Sequence, residues 1–499
     1  MSKDPFSKKG ILQSSLIMTI STFISYFGGL AGTILVARAL GPTEYGHYSY
    51  LVWLSSLIMI AANNGVNVSA LRFISECMGK GEASEAANVG GWLRKRYYLS
   101  VVLVVVLVVI WLYVHHPDRW GQYWPVFALA VILSGICKSG YLFASSIAKG
   151  YGNFSIEATT TNVFSVLTLI GVVALYFSHA PMYSFLSLFV VASIGHWVLT
   201  KYLAKKNNVI TQFGEISGDL RAQIWVHYRW AVALTLIAFL SNKSIEIYLL
   251  GLYSTPESIG FFNLSGGLVK AGADLICAGI TTVLMPVMAF SFGQDGMDKV
   301  RLLATFLVRV YFALGLLICG GSFFIAKPLV AIFFGPTFLP VELAFQVMGF
   351  VAGLTLIEVP LFTFLSTTNN QKFRVFIVIT SLVLTTVAAV LLVPRYGLLG
   401  ALWGHAISRV FFVFLMLCSV SLRFKLQVPM KAMGFALVAA MIAWVVGYGI
   451  THVIPSPLNG VAGAFTYCIL FISFTIVFNV WTKLETDSVK SFVNKRLRK

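Results

Sequence analysis

The chain has 499 residues, of which 58% are hydrophobic and only 11% charged, with a formal net charge of +18. That charged fraction, against roughly 25% in a soluble domain, and a mean hydropathy of +0.85 exclude an ordinary soluble globular protein. Runs such as 101–110 are apolar on every side rather than alternating, which excludes a β-barrel, and the basic residues gather in alternate connections, which reads as membrane topology and not as a nucleic-acid-binding face.

The apolar stretches predict an all-α polytopic membrane protein with about fourteen transmembrane helices, each long enough to cross about 30 Å of hydrocarbon at 1.5 Å per residue. In chain order they fall near 12–37, 47–71, 97–115, 124–148, 157–178, 183–203, 230–252, 261–291, 302–326, 340–367, 374–393, 398–420, 432–453 and 460–482. The first resembles a signal peptide, with Ala37-Arg38-Ala39 imitating a cleavage site. Its apolar run of about 26 residues is too long for a signal sequence, so it reads as an uncleaved span.

One set of connections carries Lys3, Lys8 and Lys9, then Arg72, Lys80, Arg94, Lys95 and Arg96, then Lys201, Lys205, Lys206, Arg221 and Arg229, then Lys372 and Arg374, then Arg423, Lys425 and Lys431, and finally the tail from Lys483 to Lys499. The other set holds only Arg38, Arg119, Lys327 and Arg395. The imbalance predicts that both termini are cytoplasmic, and the expected location is the plasma (inner) membrane. The cysteines (Cys77, Cys137, Cys277, Cys319, Cys418, Cys468) show no spacing for zinc or a redox pair and read as packing residues, so no cofactor or metal is expected.

An internal repeat shows across the basic connection between the sixth and seventh spans. Gly41-Pro42-Thr43-Glu44-Tyr45-Gly46-His47-Tyr48 matches Thr255-Pro256-Glu257-Ser258-Ile259-Gly260-Phe261-Phe262 in its proline, second glycine and second aromatic. Gly152-Asn153-Phe154 aligns with Gln371-Lys372-Phe373, and Gly195-His196 with Gly404-His405. Six spans is an even number, so the repeat is parallel: two six-helix lobes, plus two C-terminal helices. The expected division is an N-terminal lobe at 1–204, a cytoplasmic linker at 205–229, a C-terminal lobe at 230–420, and the last two spans with a basic tail at 421–499. Two such lobes are expected to enclose a cavity opening to alternate sides.

Charge inside the spans is costly and points to function. Lys270 and Asp274 lie one turn apart on one helix face, with Lys270 about 14 Å from the outer end of its span. Lys243 and Glu246 form a similar pair, Lys243 about 15 Å from the outer end of the seventh span. Lys138, Arg309 and Arg409 add buried positive charge, and Arg309 is close enough to the inner end to snorkel. Excess cationic charge suits an anionic ligand, for which Lys138, Lys243, Lys270 and Arg409 are the substrate-binding candidates; interhelical ion pairing is the competing reading. Glu358 shows no obvious local partner, and Asp274, Glu246 and Glu358 are the candidates for a coupling ion.

The stripe Ser14, Ser21, Ser25, Gly28, Gly29, Gly32 in the first span suits close helix packing or a polar cavity wall. Asn63, Asn64 and Asn67 need partners or water and are read as marking the cytoplasmic mouth of a cavity. Pro286 and Pro360 predict kinks. No Gly-x-x-x-x-Gly-Lys-Ser/Thr loop is present, which argues against ATP hydrolysis, and the short outer connections argue against a membrane polymerase or ligase.

The run Val36-Ala37-Arg38-Ala39-Leu40-Gly41-Pro42-Thr43-Glu44-Tyr45-Gly46, then Leu71-Arg72-Phe73-Ile74-Ser75-Glu76 before Gly79-Lys80-Gly81, and Val393-Pro394-Arg395-Tyr396-Gly397-Leu398-Leu399-Gly400-Ala401 together resemble the Wzx-type polysaccharide exporters. These belong to the multidrug/oligosaccharidyl-lipid/polysaccharide exporter superfamily. The resemblance implies transport rather than catalysis: a flippase carrying undecaprenyl-diphosphate-linked oligosaccharide repeat units to the outer leaflet, probing membrane lipid laterally, with polysaccharide polymerase and chain-length machinery as candidate partners. A cation-coupled multidrug extruder of the same superfamily is the alternative, for which acids and aromatics would dominate the cavity. Arg38 and Arg72 match motif positions but sit at span ends.

Overall fold

The computed structural model describes residues 8–115, 118–368, 370–455 and 458–481. Lys3 and the basic tail from Lys483 to Lys499 lie outside the described residues. The chain forms α1 (Lys8–Asn63), α2 (Val66–Gly79), α3 (Ala83–His115), α4 (Trp124–Gly150), α5 (Ser155–Phe177), α6 (Met182–Lys206), α7 (Gly218–Phe239), α8 (Ile245–Tyr253), α9 (Pro256–Phe334), α10 (Val341–Thr355), α11 (Glu358–Thr367), α12 (Gln371–Phe424), α13 (Met430–Val453) and α14 (Asn459–Val477). Two short 3₁₀ turns and one π-helical turn, Leu240–Ser244, complete it. Among the described residues there is no strand.

Every expected span falls on helix, but three helices carry two spans each. α1 is 56 residues long, about 84 Å at 1.5 Å per residue, more than twice the hydrocarbon thickness. It is broken at Gly41, where φ is 71°, as α9 is at Gly296 (φ 71°) and α12 at Gly397 (φ 54°). Only glycine takes such angles without steric cost, so the glycines of two sequence motifs are the points at which the backbone leaves one helix for the next. Among the described residues ten helices are long and apolar enough to cross a membrane, and Ile20–Asn63 and Lys372–Phe424 have the length for two crossings each. The expected spans at 230–252 and 261–291 are not among the ten: the first is interrupted by the π-helical turn, and the second carries Lys270 and Asp274 and is described only in part.

The chain divides into two compact units, Met1–Gly260 and Phe261–Lys499. This division follows compactness, whereas the expected boundaries at 204, 229 and 420 follow the sequence repeat.

In the first unit α1 packs on α4 and α5, α4 on α6, and α2 on α3 and α4. The small-residue stripe of α1 meets α5: Ser25 Oγ lies 3.1 Å from Ser165 Oγ, and a β-carbon at Gly28 would just touch Ser165. Where α1 gives way to α2, Asn64 and Gly65 take φ of 24° and 84°. The asparagines hold this break. Asn63 Nδ2 donates to the Ser139 carbonyl (3.1 Å) and Ser139 Oγ (2.8 Å) on α4, Asn64 Nδ2 donates to Ser100 Oγ (2.5 Å) on α3, and Tyr228 Oη of α7 donates to Asn64 Oδ1 (2.8 Å) at the break. Their amides are thus engaged between helices, which is the packing solution for polar groups in an apolar surround.

The connection from α6 to α7 is a strap on α3. Gln212 N donates to Ala87 O (2.9 Å), Arg94 Nη1 donates to Thr211 Oγ1 (2.9 Å) and stacks over Phe213, and Tyr151 Oη donates to Ile210 O (2.7 Å). Gly91 makes the approach possible, since a β-carbon there would overlap the Gln212 carbonyl. The two repeated loops also meet: Thr43 Oγ1 donates to Glu257 Oε1 (2.5 Å), and a β-carbon at Gly46 would overlap the Pro256 carbonyl. Thr43 and Glu257 are equivalent positions in the repeat.

In the second unit, Val300, Ala304, Val308 and Tyr311 of α9 pack with Leu361, Phe364 and Leu365 of α11 and Phe412, Met416 and Val420 of α12. Further along α9, Phe324 packs with Ala439 and Ala443 of α13 and Tyr467 and Phe471 of α14. α13 and α14 pack on each other and against that part of α9, and Met433 near the start of α13 also reaches the α9–α11–α12 core.

Candidate functional site

The polar interior of the first unit is a track through α1, α4, α5 and α6. Lys138 on α4 is half-buried, and its ammonium lies 4.0 Å from the ring centroid of Phe189 on α6, a cation–π contact. The far edge of Phe189 meets Tyr48 of α1 at 6.4 Å. One turn along α4, Tyr141 Oη is 2.8 Å from Thr161 Oγ1 on α5 and packs against His196 of α6 at 5.1 Å. Thr161 then lines a pocket of about 270 Å³ with Ser21, Thr22, Ser25 and Tyr26 of α1 and Glu157 and Ala158 of α5. The α1 stripe is therefore both packing surface and polar wall.

Glu157 was not apparent as a site residue in the sequence. Its Oε2 sits 2.6 Å from Lys149 Nζ and accepts a hydrogen bond from Ser145 Oγ (2.9 Å). Both charges lie at the neighbouring ends of α4 and α5, Lys149 just beyond the expected fourth span and Glu157 at the first residue of the expected fifth. The carboxylate also lies in the first turn of α5, the positive end of the helix dipole.

Glu246 on α8 is fully buried. Lys243 lies on the π-helical turn before it, and its side chain is outside the described residues. π-helical turns concentrate at functional positions, and this one shifts the register of a helix between two charged residues.

In the second unit Lys270 Nζ and Asp274 Oδ2 pair at 2.9 Å along α9, as their four-residue spacing predicts. Their side chains are 60% and 40% exposed, so the pair is on the unit's surface, not in its core. Charges at mid-span depth on a surface must face water, a polar partner or an anionic ligand, since hydrocarbon would be prohibitive.

Arg409 and Glu358 are different. Arg409 Nη1 on α12 lies 3.6 Å from Glu358 Oε1 on α11, with side chains 10% and 13% exposed, and 3.5 Å from Ser381 Oγ. Glu358 thus has a partner that local sequence does not disclose. Arg409 realises the interhelical pairing that stood as its alternative reading. α10 ends at Thr355 and α11 begins at Glu358, so the helix break just before Pro360 puts Glu358 in a first helical turn, facing α12. Pro286 lies outside the residues whose side chains are described. Arg309 Nη1 reaches the Val480 carbonyl at 3.4 Å, consistent with a residue turned to the end of its helix.

Long broken helices, buried ion pairs and polar tracks inside apolar bundles define a polytopic α-helical membrane protein of the transporter kind. The family model described as polysaccharide biosynthesis protein matches residues 11–292. The chain belongs to the polysaccharide biosynthesis protein family, and its resemblance to Wzx-type exporters is borne out. Its fold is similar to that of a solved structure described as lipid II flippase MurJ in an inward closed conformation, with a TM-score of 0.74 at 13% identity, over 93% of this chain and 99% of that one. It is also similar to a multidrug resistance MATE family transporter of the MOP superfamily in an inward-facing conformation (TM-score 0.66, 13% identity, 83% and 98% covered) and in an outward-facing one (0.57, 15%, 85% and 97%). Comparison with curated proteins gives no match.

Proposed function

We propose that this chain is a flippase that moves undecaprenyl-diphosphate-linked oligosaccharide repeat units from the cytoplasmic to the outer leaflet of the inner membrane by ion-coupled alternating access. The observation that carries this reading is the Lys270–Asp274 pair, charged and exposed on a helix of an exporter-like fold, at a position that the sequence expects near mid-span. Lysine is a point-charge partner for phosphate and releases it more readily than a bidentate arginine, which suits a carrier that must let go. Lys138 supplies the corresponding cation of the first lobe, read as 1–204 with its 205–229 linker, and Lys243, Lys270 and Arg409 those of the second, read as 230–420. Both termini, with the tail of 421–499, are assigned to the cytoplasm, where polymerase and chain-length partners would meet the exporter through the membrane.

Coupling falls to Asp274, Glu246 and Glu358. Protonation of Glu358 would remove the countercharge of Arg409 and free the guanidinium for an anionic ligand, so occupancy of one acid and availability of one cation are linked. The multidrug-extruder reading is favoured by one observation, the likeness to structures described as multidrug resistance transporters.

Deletion followed by complementation separates the two. If lipid-linked repeat units accumulate facing the cytoplasm without the protein and reach the surface when it is restored, flipping stands. If they reach the outer leaflet in its absence, while sensitivity to cationic drugs rises, the extruder reading replaces it.

A further inference from the structure

At the basic end of the first unit, the N-terminal part of α3 and the N-terminal half of α7 build a cluster that the transport reading does not use. The guanidinium of Arg96 lies 5.0 Å from the ring centroid of Trp92 and 5.0 Å from that of Trp225. The two indoles are 6.2 Å apart and perpendicular, at 89°. Arg229 stands 6.0 Å from the other side of the Trp225 neighbourhood, and Tyr228 stacks on Trp225 at 5.9 Å. Among the described residues no carboxylate is ion-paired with Arg96 or Arg229.

Cation–π contact with indole rings engages the delocalised charge of a guanidinium without using its N–H groups as hydrogen-bond donors to a carboxylate, and these donors can bind an oxyanion. The cluster also has a definite depth. Leu99 and Leu103 follow Arg96 by three and seven residues, on the same face of α3, and are 62% and 58% exposed. On a membrane-spanning helix that exposure faces hydrocarbon, which begins about 4.5 Å beyond Arg96. On α7, Val226 and Trp230 are exposed beside Arg229. The perimeter of the bundle therefore presents two unpaired guanidinium groups and an indole pair at the level where phosphates of a bilayer lie.

We propose that the Arg96–Trp92–Trp225–Arg229 cluster is a binding site for the phosphate of an anionic phospholipid head group of the surrounding bilayer. The outward, lipid-facing position selects a bilayer lipid over the transported substrate, whose path must stay sealed from hydrocarbon at its polar end. A net positive site selects anionic over zwitterionic lipid.

The test is thermal unfolding of the purified full chain in neutral detergent, titrated separately with dioleoylphosphatidylglycerol, dioleoylphosphatidylcholine and undecaprenyl phosphate. Phosphatidylglycerol is expected to stabilise the wild type at lower concentration than phosphatidylcholine, and Arg96→Gln to raise its midpoint concentration about tenfold, as the loss of a charge-assisted pair implies. Should Arg96→Gln fail to fold, Arg229→Gln, at an exposed position, is expected to raise it about threefold by loss of one surface charge. Wild-type response to phosphatidylglycerol in the folded variants, equal response to both phospholipids, or a response to undecaprenyl phosphate alone would each overturn the proposal.

Discussion

Arg409 on α12 and Glu358 on α11 face each other at 3.6 Å inside the second unit, both largely shielded from solvent. Two charges withdrawn from water hold one another at a large desolvation cost, so the pair is more sensitive to losing one member than to losing both. Glu358→Ala is expected to destabilise the protein by about 3 kcal/mol by removing the carboxylate that balances a buried guanidinium. Arg409→Ala is expected to cost a similar amount by isolating the carboxylate, and the double variant Glu358→Ala/Arg409→Ala to recover much of the loss. Thermal unfolding of the two single variants and the double variant checks it; strictly additive losses would show that the two side chains do not interact.

The contact between the repeated loops predicts a pH dependence. The hydrogen bond from Thr43 holds the Glu257 carboxyl below the usual carboxylate range. A group whose folded value is depressed contributes stability that is present above its ordinary value and is lost as pH falls through the folded one. The Tm difference between wild type and Glu257→Gln should therefore be constant near neutrality and shrink below about pH 4. A difference that persists unchanged into strong acid would exclude this carboxylate as its source.

The strap of 207–217 on α3 depends on a bare backbone at Gly91. Gly91→Val is expected to lift the strap and expose Phe213, which Arg94 now covers at 4.3 Å. Chymotrypsin should then cut after Phe213 in the variant at least about tenfold faster than in wild type, in proportion to the population of the open strap. Equal cleavage rates would mean that the strap tolerates the branched side chain.

The exposed pair on α9 predicts a functional loss without a structural one. Because Lys270 and Asp274 lie on the surface of their unit, Lys270→Ala should leave the protein in the membrane at wild-type level while surface polysaccharide disappears. Lys270→Arg, which keeps the charge, should retain part of the export. Immunoblots of membranes beside polysaccharide profiles read both, and normal export by well-expressed Lys270→Ala would remove Lys270 from the substrate path.

How much of this was legible in the chain differs from residue to residue. Lys270 and Asp274 are four apart on one helix, and helix geometry alone brings such residues together. Glu358 and Arg409 meet only because α11 and α12 pack side by side, so neither could name the other. Glu157 and Lys149 were hidden by a span boundary, since they lie on either side of the connection between the fourth and fifth spans and become a pair only when the ends of α4 and α5 are seen to approach. Asn63 and Asn64 fasten a helix break, because their amides find Ser139, Ser100 and Tyr228 on three other helices, contacts that residue spacing alone does not disclose.

The sequence by itself determined the class, the helical spans and the family, because hydrocarbon imposes one rule on every crossing segment: each backbone group must be satisfied within its own helix. That rule is written locally, in runs of apolar residues and in the glycines at which they break. The tertiary structure alone decided which charges are partners and which stand exposed, since ion pairs, stacked guanidinium groups and polar pockets depend on the distances between helices. Those distances are set by side-chain packing among residues far apart in the chain.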